Sequence, residues 1–460
     1  MKKLSIILAM AACVLTACKP SSVDIPQWWA DEDYQYGKAE LYNNLPVGRG
    51  DIVLLGDDIF DCADWSEIYA SPRVKGRGIT GDATSHVLAR VDSIALHKPS
   101  KVLLSVGLND LAHNDSIAVI KKGIIDIVKR IHHFSPKTEV FWLDVVPGLY
   151  LSPEQTNRAL ELNKQMVALG SKDFTCLTVS ASLLNSVTKG EYAYEGRMLN
   201  GRGLAQFALV LSETVGLPPQ MIVDALPCDK EVSPQMQEYL DNWYGEADKA
   251  SCKPGTYFLS MFNRHMHMRP AHNGVVFLGN SLTDYAPWSE LLAGFPVINR
   301  GIAGDRIEGV RLRLDDIAAD RPNKIMLMIG TNDLVKFPNK SIPDVWADYE
   351  MLIKEIAAKM PLANLYLTGI LPMNPKSADY PGFNERAAEL NKLLKAGKER
   401  YGYIYVDLAS ELMDENGDLK AEYTTDGCHL SAVGYFIWAT NMLVNGRPMV
   451  IGNPYSFDKK

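Results

Sequence analysis

Beyond Leu15 the 460-residue chain has no unbroken apolar run approaching the roughly 18 residues of a membrane-spanning helix, so no later segment is expected to cross a bilayer. Positive charge is also scarce. The 47 Lys and Arg against 55 Asp and Glu give a formal net charge of -8, and no basic patch interrupts that balance. Nucleic acids and anionic surfaces are therefore excluded as charge-selected partners. Cysteine is sparse, at seven residues. Cys13 and Cys18 belong to the N-terminal segment, which leaves Cys62, Cys176, Cys228, Cys252 and Cys428, an odd number that cannot close a disulfide framework. Cys228 and Cys252 flank one segment, and either a disulfide between them or isolated thiols fits the sequence. Of the nine histidines, His265 and His267 are spaced by two, so they do not share a helix face, and no acidic or cysteine partner lies nearby. No metal and no cofactor is expected.

The N-terminus reads Met1-Lys2-Lys3, an apolar stretch from Leu4 to Leu15, then Thr16-Ala17-Cys18. A positive start, a short apolar run and small residues make a secretory signal. Leu15 to Cys18 resembles a bacterial lipobox, which implies cleavage before Cys18, lipidation of its thiol and location in the bacterial cell envelope. Loss of Lys2 and Lys3 would take the formal charge from -8 to -10. The expected order is a signal over 1–17, a tether over 18–26, a first domain over 27–226, a linking segment over 227–270 and a second domain over 271–453. The linking segment is expected to supply a helix packing on the second domain.

The chain carries one set of signatures twice. Val275 to Ser281 ends in Gly279-Asn280-Ser281, followed by Asn299 to Asp305 with Gly301 and Gly304, and then by Gly330-Thr331-Asn332-Asp333. Moving back 223 positions lands on Gly56-Asp57-Asp58, on Gly78 to Asp82 with Gly81, and on Gly107-Leu108-Asn109-Asp110. Supporting residues keep the same offset: Trp65 with Trp288, Arg90 with Arg313, Asp92 with Asp315, Pro99 with Pro322 and Lys101 with Lys324. So many coincidences at one spacing imply a duplicated domain.

Each copy alternates short apolar strands with amphipathic helices, the pattern of a parallel sheet covered on both faces. In the second copy strands are predicted over 275–278, 296–299, 324–329, 364–370 and 403–406, with helices over 307–319, 342–360 and 384–400 and one after Ser431. The fold class is therefore two tandem three-layer α/β/α sandwiches, each around a parallel sheet of about five strands.

In such sheets reacting groups collect at the carboxyl ends of the strands. Ser281 follows a strand, and Gly279 permits the tight turn that lifts its hydroxyl to the start of a helix, where free amides favour developing negative charge. A serine there is also an ordinary helix cap. Near the C-terminus Asp426 precedes His429 by three residues, a spacing that lets a carboxylate fix the imidazole tautomer and turn the other ring nitrogen toward a serine. Gly304 can present an unobstructed N–H and Asn332 a side-chain amide, so with the N–H of Ser281 three oxyanion donors are available.

The order Ser, Gly, Asn, His, with Asp-x-x-His at the end, resembles the SGNH hydrolase superfamily, also called the GDSL family, over most of residues 271–450. That resemblance implies Ser281 as nucleophile, His429 as general base, Asp426 as its orienting partner, and Ser281, Gly304 and Asn332 as oxyanion donors. Asn280 stands where the family name has Asp. The Gly-x-Ser-x-Gly elbow of the larger α/β-hydrolases is absent around Ser281.

In the first copy Asp58 stands at the nucleophile position, Gly81 and Asn109 at the oxyanion positions, and Glu195 and Met198 at the Asp426 and His429 positions, the offset there being 231. Methionine cannot shuttle a proton, so this copy is read as degenerate and non-catalytic. Structural support, binding and a contribution to the other site remain open for it. Asp57, Asp58 and Asp61 form either a cation or sugar site or a solvated acidic loop.

The family spans lipases, lysophospholipases, arylesterases and carbohydrate O-acetylesterases. A lipid-anchored envelope protein with Tyr285 and Trp288 near its nucleophile suits removal of O-acetyl groups from carbohydrate, since aromatic faces stack on sugar rings, although Trp288 also fits a core position. The expected partner is thus an acylated carbohydrate or another small ester. A short-chain lysophospholipase or general esterase, and a glycan-binding lipoprotein with vestigial activity, are the alternatives.

Overall fold

The structure, a computed structural model, describes residues 33–146, 151–170, 172–180, 193–194, 198–223, 233–244, 254–270, 274–375 and 380–443. The signal, the tether, Cys18, Glu195 and the Cys228–Cys252 pair lie outside those residues.

Two units result. The first, Val23–Asn273 with Pro287–Glu290, holds β1 (Ile52–Gly56), β2 (Val74–Gly78), β3 (Lys101–Ser105), β4 (Glu139–Leu143) and β5 (Thr175–Leu177) in a parallel sheet of order β2-β1-β3-β4-β5. It also carries two short antiparallel pairs, β6 (Ala193–Tyr194) with β7 (Met198–Leu199), and β8 (Met221–Val223) with β9 (Met268–Pro270). The second unit, Gly274–Ala286 with Leu291–Lys460, repeats the sheet as β10 (Val275–Gly279), β11 (Val297–Gly301), β12 (Lys324–Met328), β13 (Asn364–Thr368) and β14 (Ile404–Val406), in the order β11-β10-β12-β13-β14. Register is duplicated as well: Gly56 pairs with Gly78 and Gly279 with Gly301. Both sheets are flanked by helices, giving the two α/β/α sandwiches expected from the alternation.

The central strands read as continuous apolar runs because both faces are covered. β10, Val-Val-Phe-Leu-Gly, is buried at every position. The helices Ile117–Phe134 and Ile342–Lys359 begin at Ser116 and Ser341, whose hydroxyls accept the Val119 and Asp344 amides and so satisfy otherwise orphaned N–H groups. Gly279 marks where β10 stops. A Cβ there would sit 2.2 Å from the Met328 carbonyl oxygen, so a side chain would push the turn off the neighbouring strand.

Two expectations need correction. The predicted helix over 307–319 is two helices, Ile307–Leu312 and Leu314–Ala319, separated at Arg313, whose φ of -112° and ψ of 12° leave the helical region. In the linking segment, the helix expected on the second domain packs on the first unit. This helix, Pro254–His267, lies against Gly201–Val215, with Arg264 Nη1 donating to the Cys62 carbonyl at 2.6 Å and Nε to the Leu199 carbonyl at 3.1 Å. Asn263 accepts the Gly201 amide at 3.0 Å. An arginine carried into the interior needs such acceptors, and it finds them on the first repeat. Among the described residues no helix is long and apolar enough to cross a membrane.

Candidate active site

Ser281 is the first residue of the short helix Ser281–Asp284 that follows β10, and its cap Asn280 accepts the Leu282 amide at 3.2 Å. Asn280 thus does the work of an Asp at that position, holding the turn without reacting. From the other end of the unit, the loop before the helix Ala432–Leu443 delivers Asp426 and His429. His429 Nε2 lies 2.8 Å from Ser281 Oγ, and His429 Nδ1 lies 2.5 Å from Asp426 Oδ2. The other oxygen of Asp426 accepts the amides of Cys428 at 2.8 Å and His429 at 2.7 Å. Burial alone would raise the Asp426 carboxyl, but the hydrogen bond and charge of His429 and those two amides outweigh it and hold it below the ordinary value. It therefore stays a carboxylate facing an imidazole whose second nitrogen meets a hydroxyl. Cys428, the other potential nucleophile here, is pushed up to about 12 by burial and by the nearby Asp426 charge, so it remains a neutral thiol.

The oxyanion candidates come from the ends of the neighbouring strands. Gly304 has a φ of +80°, which a residue with a Cβ reaches at a cost, and the preceding Ala303 amide donates to Asp284 Oδ2 at 2.8 Å. Asn332 is the second residue of the helix Thr331–Lys336 after β12 and donates to the Asp305 carbonyl at 2.8 Å, which fixes the direction of its amide group. Asp305 is itself held by Arg313, whose Nε donates to Oδ2 at 2.9 Å and whose Nη2 reaches the Gly279 carbonyl at 3.3 Å. One buried guanidinium thus ties the loop that carries Gly304 and Asp305 to the strand end that carries Ser281. The sequence marked Arg313 as a repeated residue but not its role.

Beside Asn332, the buried Asp333 is pushed up to about 7 by burial, against the Ile307 amide and the Arg306 charge. A raised carboxyl binds a proton in the folded state that the unfolded chain has released, so its contribution to stability is present below about pH 4 and lost as pH rises toward 7. Asp333→Asn is expected to flatten that part of the stability profile, checked by urea midpoints measured at successive pH values between those limits.

The first unit places its counterparts in the same frame. Arg90 Nε donates to Asp82 Oδ2 at 2.9 Å and Nη2 to the Gly56 carbonyl at 2.9 Å, and Asn109 Nδ2 reaches the Asp82 carbonyl at 3.0 Å. The difference is what fills the centre. Asp58 Oδ2 accepts the Gly81 amide at 3.1 Å and Asn109 Nδ2 at 2.7 Å. Burial pushes the Asp58 carboxyl up, and Asn109, Gly81 and its own amide work against that. A carboxyl oxygen therefore takes up the Gly81 and Asn109 donors, the counterparts of Gly304 and Asn332 in the second unit.

The acidic cluster is accordingly neither a solvated loop nor an open cation site. Asp57 is 1% exposed, and Asp61 is engaged by the Tyr34 hydroxyl at 2.6 Å, the Thr80 amide at 2.8 Å and Lys38 at 3.3 Å. Among the described residues no His, Cys, Asp and Glu group of three or more suits a metal. Met198 lies in β7, paired with Tyr194. Because Asp58 satisfies the buried Asn109 amide and the half-buried Gly81 N–H, Asp58→Ala is expected to cost about 1–3 kcal/mol. Sodium acetate should raise the melting temperature of that variant and leave the native chain unmoved, with sodium chloride at equal ionic strength as the control.

Trp288 is fully buried, as is its counterpart Trp65, so it is a core residue and offers no face for stacking. Tyr285 is half-buried, with its ring centroid 5.1 Å from that of His429.

A parallel α/β sandwich that brings serine, histidine and aspartate into one hydrogen-bonded chain at the strand ends has the layout of a serine-type ester hydrolase. The chain belongs to the GDSL-like lipase/acylhydrolase family, whose model matches residues 62–190 and 277–437, one region in each repeat. The platelet-activating factor acetylhydrolase IB subunit alpha2 of Rattus norvegicus is 24% identical over 186 residues, 39% of this chain and 78% of the relative. Among solved structures, a GDSL-like lipase from Bacteroides thetaiotaomicron is 23% identical, covers 37% of this chain and 85% of its own, and superposes with a TM-score of 0.33. A mutant acetyl-xylooligosaccharide esterase from Geobacillus stearothermophilus is 20% identical over 39% of this chain and 98% of its own, with a TM-score of 0.32.

Proposed function

We propose that the second unit is a serine esterase that removes small acyl groups, foremost O-acetyl groups, from carbohydrate in the bacterial cell envelope, and that the first unit is non-catalytic. The observation that carries this reading is the chain from Ser281 Oγ through His429 to Asp426, at 2.8 and 2.5 Å. In the proposed reaction His429 Nε2 takes the Ser281 proton as the oxygen attacks the acyl carbon, and the carbonyl electron pair moves onto oxygen. The amides of Ser281 and Gly304 and the side chain of Asn332 receive that oxyanion, each donor worth on the order of 3 kcal/mol. The imidazolium, paired with Asp426, then returns the proton to the departing alcohol. A water molecule activated by the same imidazole hydrolyses the acyl-serine to release the acid.

A small acyl group is supported by the name of the rat relative, an acetylhydrolase. Carbohydrate is supported by the half-buried Tyr285 ring beside His429, which suits stacking on a sugar, and by the envelope location and Cys18 lipidation that the Leu15 to Cys18 lipobox resemblance implies. The same relative favours a second reading, an acetyl ester of the platelet-activating factor kind. Hydrolysis of p-nitrophenyl acetate is expected to exceed that of the decanoate in kcat/KM; a preference for the long chain would exclude the acetyl reading. Acetate release from acetylated glycans, set against release from platelet-activating factor, then decides between the two.

A further inference from the structure

We infer that Tyr435 is a positioning residue for the proposed reaction, tying the turn that carries Ser281 to the helix that follows His429; this rests on the esterase reading above. Tyr435 lies one turn into the helix Ala432–Leu443, is 1% exposed, and donates its hydroxyl proton to the Leu282 carbonyl at 3.0 Å. Leu282 is the residue after Ser281. The Tyr435 bond thus adds a second hydrogen bond between the two blocks that the Ser281–His429 contact joins. A buried hydroxyl on a carbonyl of the nucleophile turn fixes the distance between hydroxyl and imidazole independently of substrate.

The first unit supplies an internal control. Its helix Gly201–Val215 is capped by Asn200, which accepts the Gly203 amide at 2.9 Å, as Ser431 accepts the Gly434 amide at 3.4 Å. Leu204 donates its amide to the Asn200 carbonyl at 2.9 Å, as Tyr435 does to Ser431 at 3.0 Å, so backbone and offset of 231 agree. At the tyrosine position stands Leu204, 1% exposed in the core. The carbonyl equivalent to that of Leu282 belongs to Ile59, and there it is taken locally, by Cys62 Sγ at 3.0 Å. In the copy with a serine and a histidine to align, that carbonyl is held by the helix after the histidine; in the copy with neither, it is held by its own turn. Packing needs are met equally by leucine, which leaves alignment as the reason for the hydroxyl.

The test compares Tyr435→Phe with Trp438→Phe in the full chain. Trp438 stacks on Tyr435 at a centroid distance of 6.4 Å, so its replacement perturbs the same packing and spares the hydroxyl. With p-nitrophenyl acetate, Tyr435→Phe is expected to lower kcat roughly ten- to a hundredfold with KM unchanged, as misplacement of reacting groups by fractions of an ångström does. The rate at which a phosphonate ester modifies Ser281 should fall in parallel, while Trp438→Phe keeps both rates and loses only thermal stability. The inference is overturned if Tyr435→Phe stays within about twofold of the native chain, if Trp438→Phe loses as much, or if the phenylalanine chain does not fold at the assay temperature. Turnover that survives Ser281→Ala would instead overturn the esterase reading, so the two failures are told apart.

Discussion

Ser281→Ala is expected to lower kcat for p-nitrophenyl acetate by roughly four orders of magnitude or more, while Asp58→Ala leaves it unchanged. The proposed oxyanion donors would survive loss of the hydroxyl, so what remains is the residual acceleration over water that they supply. Asp58 belongs to a unit with no hydroxyl at the equivalent turn, and its carboxylate occupies the Gly81 and Asn109 donors at 3.1 and 2.7 Å. Equal losses in the two variants, read from steady-state kinetics on chains shown to be folded, would refute the division of labour between the repeats.

The second large effect is on stability. Arg313 and Asp305 are 1% and 0% exposed, and the guanidinium is what the carboxylate gains in exchange for water. Arg313→Met is expected to cost about 3–5 kcal/mol, because it removes the guanidinium that faces the buried Asp305 carboxylate, which the Arg306 amide at 2.8 Å does not replace. That is a large fraction of the roughly 5–15 kcal/mol by which a domain is stable. Adding Asp305→Leu should recover part of the loss, since an apolar pair needs no compensation, yet leave turnover impaired because the loop that carries Gly304 is no longer anchored to Gly279. Denaturant midpoints and kcat, measured together on the single and double variants, separate the two effects; a single variant as stable as the native chain would remove the pair from the argument.

Most of the frame was legible because its causes are local or periodic. Strands buried on both faces announce themselves as apolar runs, and the constant offset of 223 between Asp58 and Ser281, or Asn109 and Asn332, exposed the duplication without coordinates. The predicted helix over 342–360 matches the observed Ile342–Lys359 within a residue. What went astray did so where tertiary contacts outweigh local pattern. The run 307–319 looks like one helix, but burying the Arg313 guanidinium against Asp305 and Gly279 breaks it. The segment after residue 226 is expected to supply a helix, but its composition does not say which domain that helix covers; Arg264 finds its acceptors on Cys62 and Leu199 of the first repeat.

By itself, then, the sequence determined two α/β sandwiches, the family, and which residue types stand at each reactive position, because spacing along the chain encodes strand ends and turns directly. Only the tertiary structure decided that Asp58 lies in the grip of Gly81 and Asn109, and that the Leu282 and Ile59 carbonyls are held by Tyr435 and by Cys62. Those are side-chain directions between residues brought together by folding, and a hydrogen bond depends on tenths of an ångström and tens of degrees that no one-dimensional spacing records.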